Sequence, residues 1–438
     1  MLHQPCLAPI IARIYQFLSR VTMTMVRLYL TKVNLMLKSP LLPRFGDLVV
    51  AIVDDVLGQG LTLDRAYARH FSGIELKPQE QARIALVTGD LLRRLSLYCA
   101  LTGIQVRQAE KNVWPLLHSW HAFHKIAQPN HPTLDRFNEE AFRRRLTEAK
   151  KNPVLMDGCP TWLEKLGSEQ LGEAWPAERA ALAWMPKRYL RVNSLKCTRE
   201  ELQAALAKEQ VTTIPVEGVD SALQVTSDAA LFRTKAFADG WFEQQDAGSQ
   251  QVAAALEVSP GMRVIDACAG AGGKTLHLAA MMEGKGRLLA MDVEEWKLEN
   301  LKQRARRAGA HNVETRVITS SKTVKRLKES ADRVLLDVPC SGLGVLKRNP
   351  DAKWRDTAER LPVLVALQAE ILQRYSQMVK VGGLLVYATC SILPEENRQQ
   401  VDKFLAANEN YRLRDDHTVS PAATGFDGFY MARIERIA

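Results

Sequence analysis

Asp266-Ala267-Cys268-Ala269-Gly270-Ala271-Gly272-Gly273-Lys274-Thr275 follows a short apolar run, residues 262–266, and precedes a helical pattern that starts at Lys274. A strand, a glycine-rich turn and a helix in that order form one half of a βαβ unit. Glycines let the backbone approach a ligand closely, and the helix start presents free N–H groups. The turn is not a clean G-x-G-x-x-G, because Thr275 stands at the third glycine position counted from Gly270. It is not a phosphate-binding P-loop either: Gly273-Lys274-Thr275 fits the end of that motif, but Cys268 stands where its first glycine belongs.

Outward from this turn, strand and helix alternate. Residues 287–292 read as the second strand, 295–308 as a helix, 313–318 and 333–337 as the third and fourth strands, most of 363–379 as a helix and 383–387 as the fifth strand. That alternation predicts a doubly wound, Rossmann-like α/β domain. Asp292 closes the second strand, where a carboxylate can accept two hydrogen bonds from ribose hydroxyls. Leu336-Asp337-Val338-Pro339-Cys340-Ser341-Gly342 and Tyr387-Ala388-Thr389-Cys390-Ser391 each put a cysteine just past a predicted strand, at the edge where such sheets bind ligands. A lone cysteine is usually a small buried hydrophobe. Two of them at strand ends, one beside an acid, point to thiol chemistry.

The remaining chain organises around this domain, which is expected over 236–438. Residues 189–193, 212–216 and 222–225 read as strands and 198–208 as a helix, giving a small α+β module over 151–235, expected to bind RNA. Residues 45–150 carry a helical apolar pattern, with Leu48, Val49, Ile52, Val53 and Val56 and then Ala82, Ile84, Ala85, Leu91 and Leu92, and are expected to form a helical domain. Residues 1–44 hold no acid but include Arg13, Arg20, Arg27 and Lys32, too frequent for a membrane span. An Arg-rich, acid-free start can mimic a transit peptide, but the simpler expectation is a poorly ordered basic extension.

Lys and Arg outnumber Asp and Glu by 59 to 49 in 438 residues, a net charge of +10 that suits a polyanionic partner. The seven cysteines include no C-x-x-C pair, so neither a disulfide framework nor a metal site is expected, and a reducing cytoplasmic setting fits. A monomer with no membrane association is expected.

These motifs resemble the RNA (cytosine-5) methyltransferase family, which includes bacterial ribosomal RNA enzymes and related eukaryotic nucleolar proteins. The resemblance covers roughly 186–438. The glycine turn, Asp337-Val338-Pro339-Cys340-Ser341-Gly342, Arg348-Asn349-Pro350-Asp351, Ala388-Thr389-Cys390-Ser391 and Pro394-Glu395-Glu396-Asn397 occur in family order, and Gln245-Asp246-Ala247 and Asp427-Gly428-Phe429-Tyr430 also fit. Residues 85–97 of the helical region resemble the N-terminal RNA-binding domain of the bacterial members. The resemblance implies methyl transfer from S-adenosyl-L-methionine to C5 of a cytosine, with Cys390 as the nucleophile that adds to C6, Cys340 assisting product release and Asp337 contacting cytosine. It implies a cofactor site of Asp266, Cys268, Ala269, Gly270, Ala271, Gly272, Gly273, Lys274, Asp292 and Asp337, in which Asp266 sits where a methionyl ammonium would use its charge.

Small-subunit 16S ribosomal RNA is the expected substrate, with transfer RNA the alternative. A non-catalytic, RNA-binding ribosome assembly factor is the reading from a different class, and the intact cysteine pair argues against it. The chemistry alone leaves either cysteine able to attack. The chain departs from the family twice. It reads Ala269-Gly270-Ala271-Gly272-Gly273-Lys274 for the usual Ala-Ala-Pro-Gly-Gly-Lys, and Thr319, Ser320 and Ser321 stand where an acid near the adenine is usual.

Overall fold

The computed structural model describes residues 40–438; the expected disorder of the 1–44 extension lies, through residue 39, outside the described residues. The described chain forms two compact units, one ending at Gly158 and one spanning Cys159–Ala438. The first unit is helical, with Pro43–Leu57, Leu63–Phe71, Pro78–Arg93, Leu95–Thr102, Val113–Phe123 and Glu139–Ala149 as its main helices. Val49, Ile52, Val53 and Val56 recur at helical spacing and are fully buried, as are Ile84, Leu91 and Leu92. Ala82 is exposed, because Pro78–Arg93 turns its Ile84–Val87–Leu91 face inward. Asp90 lies at the centre of this unit. It accepts hydrogen bonds from Tyr98 Oη (2.8 Å) and Trp120 Nε1 (2.9 Å), and His124 Nε2 lies at 3.0 Å.

The second unit holds two sheets. Strands β1 (Arg188–Val192), β2 (Thr213–Pro215), β3 (Ala222–Val225) and β4 (Phe242–Gln244) make a small antiparallel sheet in the order β2-β3-β1-β4. Its helix, Arg199–Lys208, starts at a capping box: Thr198 Oγ1 accepts from the Glu201 N–H, and the Glu201 carboxylate accepts from the Thr198 N–H. Strand β4 lies beyond residue 235, so this sheet extends into the segment that the sequence assigns to the larger domain. Three residues give too short an alternation to read as a strand.

The large sheet has seven strands: β5 (Arg263–Asp266), β6 (Arg287–Asp292), β7 (Val313–Val317), β8 (Ala331–Asp337), β9 (Val379–Thr389), β10 (Tyr411–Val419) and β11 (Phe429–Arg436), in the order β10-β11-β9-β8-β5-β6-β7. Strands β5 to β9 are parallel, and β11 is antiparallel to both its neighbours. Both faces are covered. Val264, Leu288, Leu335 and Val386 pack into one core, and Ile265, Leu289, Leu336 and Leu385 into the other.

The expectation of five strands is corrected to seven. Strand β10 is an edge strand whose Arg412, Arg414, Asp415 and Asp416 hide any apolar alternation. The helix expected over 363–379 spans Thr357–Tyr375, because Pro362 falls in its second turn and removes one backbone bond without stopping it. Strand β5 is flanked by β6 on one side and β8 on the other, so the chain leaves it in opposite directions. A crevice opens at the carboxyl ends of strands at such a switch point.

Candidate active site

The turn after β5 approaches its surroundings through glycine. Gly270 and Gly272 have φ of +52° and +88°, and a Cβ on Gly272 would lie 2.6 Å from Leu301 Cγ. The Gly270 N–H donates to Asp292 Oδ2 (2.9 Å), and Asp292 Oδ1 accepts from the Glu294 N–H (2.9 Å). Outward-facing carbonyls of the turn are taken up elsewhere: Arg304 donates to Ala271 O (2.6 Å) and Arg191 to Gly273 O. Asp266, at the end of β5, is buried. Its Oδ2 accepts from Thr275 Oγ1 (2.7 Å), while Oδ1 has no partner, and burial pushes its pKa up to about 7. Thr275, which breaks the dinucleotide-binding glycine pattern, is thus the residue that steadies Asp266.

A cavity of about 400 Å³ opens beside this turn, within the range of sites for nucleoside-sized ligands. Cys268 and Asp292 line it, with Ile318, Ser320, Ser321 and Pro339 from the ends of β7 and β8 and Leu367, Glu370 and Arg374 from the helix Thr357–Tyr375. Ser320 and Ser321 thus meet the cavity where an acid is usual, and Glu370 supplies a carboxylate from the opposite wall. Of the cofactor residues expected from sequence, Cys268 and Asp292 form wall. Asp266, Ala269, Gly270, Ala271, Gly272, Gly273, Lys274 and Asp337 are not part of the cavity lining. Burial keeps the Cys268 thiol well above its ordinary pKa, so Cys268 acts as wall rather than nucleophile. Asp292 and the apolar Ile318, Pro339 and Leu367 of the lining suit a nucleoside-sized ligand.

The other expected residues meet at the ends of β8 and β9. Cys340 Sγ and Cys390 Sγ lie 3.3 Å apart. The hydrogen bond to Cys390, together with burial, raises the Cys340 pKa well above the ordinary thiol value. Lys274 Nζ donates to Asp337 Oδ2 (2.6 Å) and sits 5.3 Å from the centre of the Phe429 ring. Burial opposes the ammonium charge, but Asp337 outweighs it and the Lys274 pKa rises; the Cys390 sulfur adds in the same direction. The glycine turn therefore delivers a cation to the cysteine side of the site as well as a wall to the cavity.

Several supporting residues escaped the sequence reading as individuals. Arg348 donates to Asp246 Oδ2 (2.8 Å), to Lys187 O (2.8 Å) and to Asp427, so the Arg348-Asn349-Pro350-Asp351, Gln245-Asp246-Ala247 and Asp427-Gly428 stretches meet at one guanidinium. The backbone at Gly344 passes so close to Gly428 O and Cys390 O that a Cβ would lie 2.3 and 2.8 Å from them. Glu396 and Asn397 hold the two cysteine turns. Their sequence signal was the Pro394-Glu395-Glu396-Asn397 stretch, whose spacing carries no chemistry until the strands are in place. Among the described residues no group of His, Cys, Asp and Glu could hold a metal ion, and no helix is long and apolar enough to cross a membrane.

Residues 253–435 match the family model described as 16S rRNA methyltransferase RsmB/F, and residues 159–231 match the ferredoxin-like domain of RsmF/B-like methyltransferases. A probable ribosomal RNA small subunit methyltransferase B of Synechocystis sp. is 37% identical over 286 residues, covering 65% of this chain and 64% of that protein. Ribosomal RNA small subunit methyltransferase B of Pseudomonas putida is 34% identical over 312 residues, covering 67% of this chain and 70% of that protein. The chain thus spans a little under two thirds of the Synechocystis relative's length. The crystal structure of PH0851 has the same fold, with a TM-score of 0.75 at 23% identity over 91% of this chain and 100% of that one.

Proposed function

The chain belongs to the RsmB/F family of 16S rRNA methyltransferases, and from that premise we propose that it methylates C5 of a cytosine in 16S ribosomal RNA using S-adenosyl-L-methionine. The observation that carries this reading is the pair of sulfurs 3.3 Å apart at the ends of adjacent parallel strands. Cytosine C5 is a poor nucleophile. Addition of the Cys390 sulfur to C6 makes it an enamine carbon that can attack an electrophile. The thiol proton passes to N3 as the sulfur–C6 bond forms, and Asp337, a carboxylate paired with Lys274, would accept from the protonated N3 or the 4-amino group. Cys340 assists product release: once its own proton has passed to solvent, its sulfur can take the C5 proton, and the electron pair of the breaking Cys390–C6 bond returns to the Cys390 sulfur as product leaves.

S-adenosylmethionine supplies the electrophilic methyl group when bound. Asp292 would accept from its ribose hydroxyls, Asp266 Oδ1 would face its amino group, and Ile318 and Pro339 would flank the base. Basic surface carried by the net charge of +10 favours an RNA partner. The test is transfer of tritium from labelled S-adenosylmethionine to 16S rRNA from cells lacking the gene, with bisulfite sequencing of the product. The reading expects one new protected cytosine in 16S rRNA. Label appearing only in transfer RNA would move the substrate to the alternative class, and no transfer to either RNA would overturn the proposal.

A further inference from the structure

Glu396 and Asn397 are consecutive residues of one turn after β9, both buried, and each grips a different cysteine turn. The Glu396 carboxylate accepts from the Ser341 N–H (2.7 Å), from Ser341 Oγ and from Gln368 Nε2 (2.9 Å). Gln368 Nε2 also donates to Pro339 O (2.9 Å), so the residues on both sides of Cys340 are fixed from one carboxylate and one amide. The Glu396 backbone is itself held, because Tyr387 Oη donates to its carbonyl (2.6 Å). Asn397 works on the other turn. Its Nδ2 donates to Ser391 O (3.0 Å), its Oδ1 accepts from Thr389 Oγ1, and Thr389 Oγ1 in turn accepts from the Ser391 N–H (3.2 Å). The residues on both sides of Cys390 are thereby fixed from Asn397.

We infer that Glu396 and Asn397 are positioning residues that divide the labour between the thiols, Glu396 holding Cys340 for product release and Asn397 holding Cys390 for attack. The physical ground is that the two cysteine turns, which meet at the sulfurs, at Ser341 Oγ and Ser391 Oγ (3.3 Å) and at the Gly344 N–H and Cys390 O (2.9 Å), are each tied to a different one of two neighbouring residues. The pairing of β8 with β9 brings the sulfurs together, and the spacing of two adjacent side chains then helps to fix their separation. A buried carboxylate accepting several hydrogen bonds is a strong tether, since bonds to a charged group are worth about twice neutral ones. Loss of either tether loosens its own turn more than the other, although the turns still meet at Ser341 and Ser391.

This inference rests on the two-cysteine reading above, and its test keeps the two apart. Single-turnover methylation of transcribed 16S rRNA with tritiated S-adenosylmethionine is followed beside the fraction of enzyme joined to RNA on a denaturing gel. For Glu396→Ala the adduct trapped per methyl group transferred rises about tenfold or more, the size expected from losing hydrogen bonds to a charged acceptor. Glu396→Gln largely restores the wild-type ratio, because its amide oxygen still accepts from the Ser341 N–H. Asn397→Ala instead slows methyl transfer about tenfold, the size of a lost buried hydrogen-bond pair, without raising the ratio. A merely structural role would lower methylation and adduct together; that result in Glu396→Ala, or a raised ratio in Asn397→Ala, overturns the inference. If Glu396→Ala does not fold, Glu396→Met, which fills the same space but accepts no hydrogen bond from Ser341 or Gln368, decides: a raised ratio supports the tether and an unchanged one overturns it. Cys340→Ala is run in parallel. Adduct in Cys340→Ala with an unchanged ratio in Glu396→Ala refutes the tether alone, whereas no adduct in Cys340→Ala refutes the two-cysteine reading.

Discussion

At the β5–β6 end of the sheet the site is made largely of backbone and two carboxylates. The Gly270 and Glu294 N–H groups meet Asp292, and Asp266 keeps one oxygen free. At the β8–β9 end it combines side chains brought from distant segments, Lys274 with Asp337 and Glu396 with Ser341, with the local grip of Asn397 on Thr389 and Ser391. The first half is drawn from residues 266–294, and on the proposed reading its groups would meet the cofactor. The second half is long-range, and its contacts hold two sulfurs at a fixed separation. On the proposed reading, binding is open to damage by one substitution in a short motif, while the covalent chemistry depends on a network whose longest links, Lys274–Asp337 and Glu396–Ser341, join residues more than fifty apart.

If the halves are separable in this way, a lesion on the cofactor side should change affinity and leave the thiol chemistry alone. Asp292→Ala is expected to weaken S-adenosylmethionine binding by roughly 1–3 kcal/mol, the size of hydrogen bonds to a charged group. Calorimetry measures the affinity, and the ratio of RNA adduct to methyl transferred at saturating cofactor should stay at the wild-type value. Unchanged affinity in a folded variant would take Asp292 out of the site. A changed ratio would break the division between the halves.

A smaller effect separates the halves by pH. The Asp266 pKa is raised to about 7 by burial, so below that pH the carboxyl is protonated and cannot pair with an ammonium. The fraction ionised falls from about one half at pH 7 to about one eleventh at pH 6, so the apparent dissociation constant for S-adenosylmethionine should rise about fivefold over that unit. The stability sign is opposite. The raised pKa penalises the ionised folded state, so this group's contribution falls as pH rises from the ordinary 3.8 through about 7 and is then constant. Asp266→Asn should bind more weakly and lose this pH dependence. Retention of the fivefold change in Asp266→Asn would assign the titration to another group.

The same contrast explains what the sequence could and could not reveal. Residues 287–292 and 295–308 match their elements residue for residue, because apolar strands alternating with an amphipathic helix carry their own period. Asp292 and the glycine turn were visible because a strand-end acid and a glycine cluster need no partner to be recognised. Strands β10 and β11 were not seen. Charge along β10 masks its single buried face, and pairing with β11 rather than pattern makes it a strand. Cys340 and Cys390 were visible as strand-end cysteines. Their 3.3 Å separation was not, since it follows from β8 lying beside β9 and from the grip of Glu396 and Asn397 on either turn.

The central claim is that the two sulfurs have different tasks, and trapping the covalent RNA complex tests it most directly. Cys390→Ala and Cys340→Ala are each incubated with 16S rRNA and labelled S-adenosylmethionine and run on a denaturing gel. Cys390→Ala should neither methylate nor form an adduct, since no C6 bond can be made. Cys340→Ala should attack, transfer the methyl group and stall as a slowly migrating, labelled protein–RNA complex. A stalled complex in Cys390→Ala and none in Cys340→Ala would reverse the roles, and methylation by both variants without any complex would contradict the covalent account.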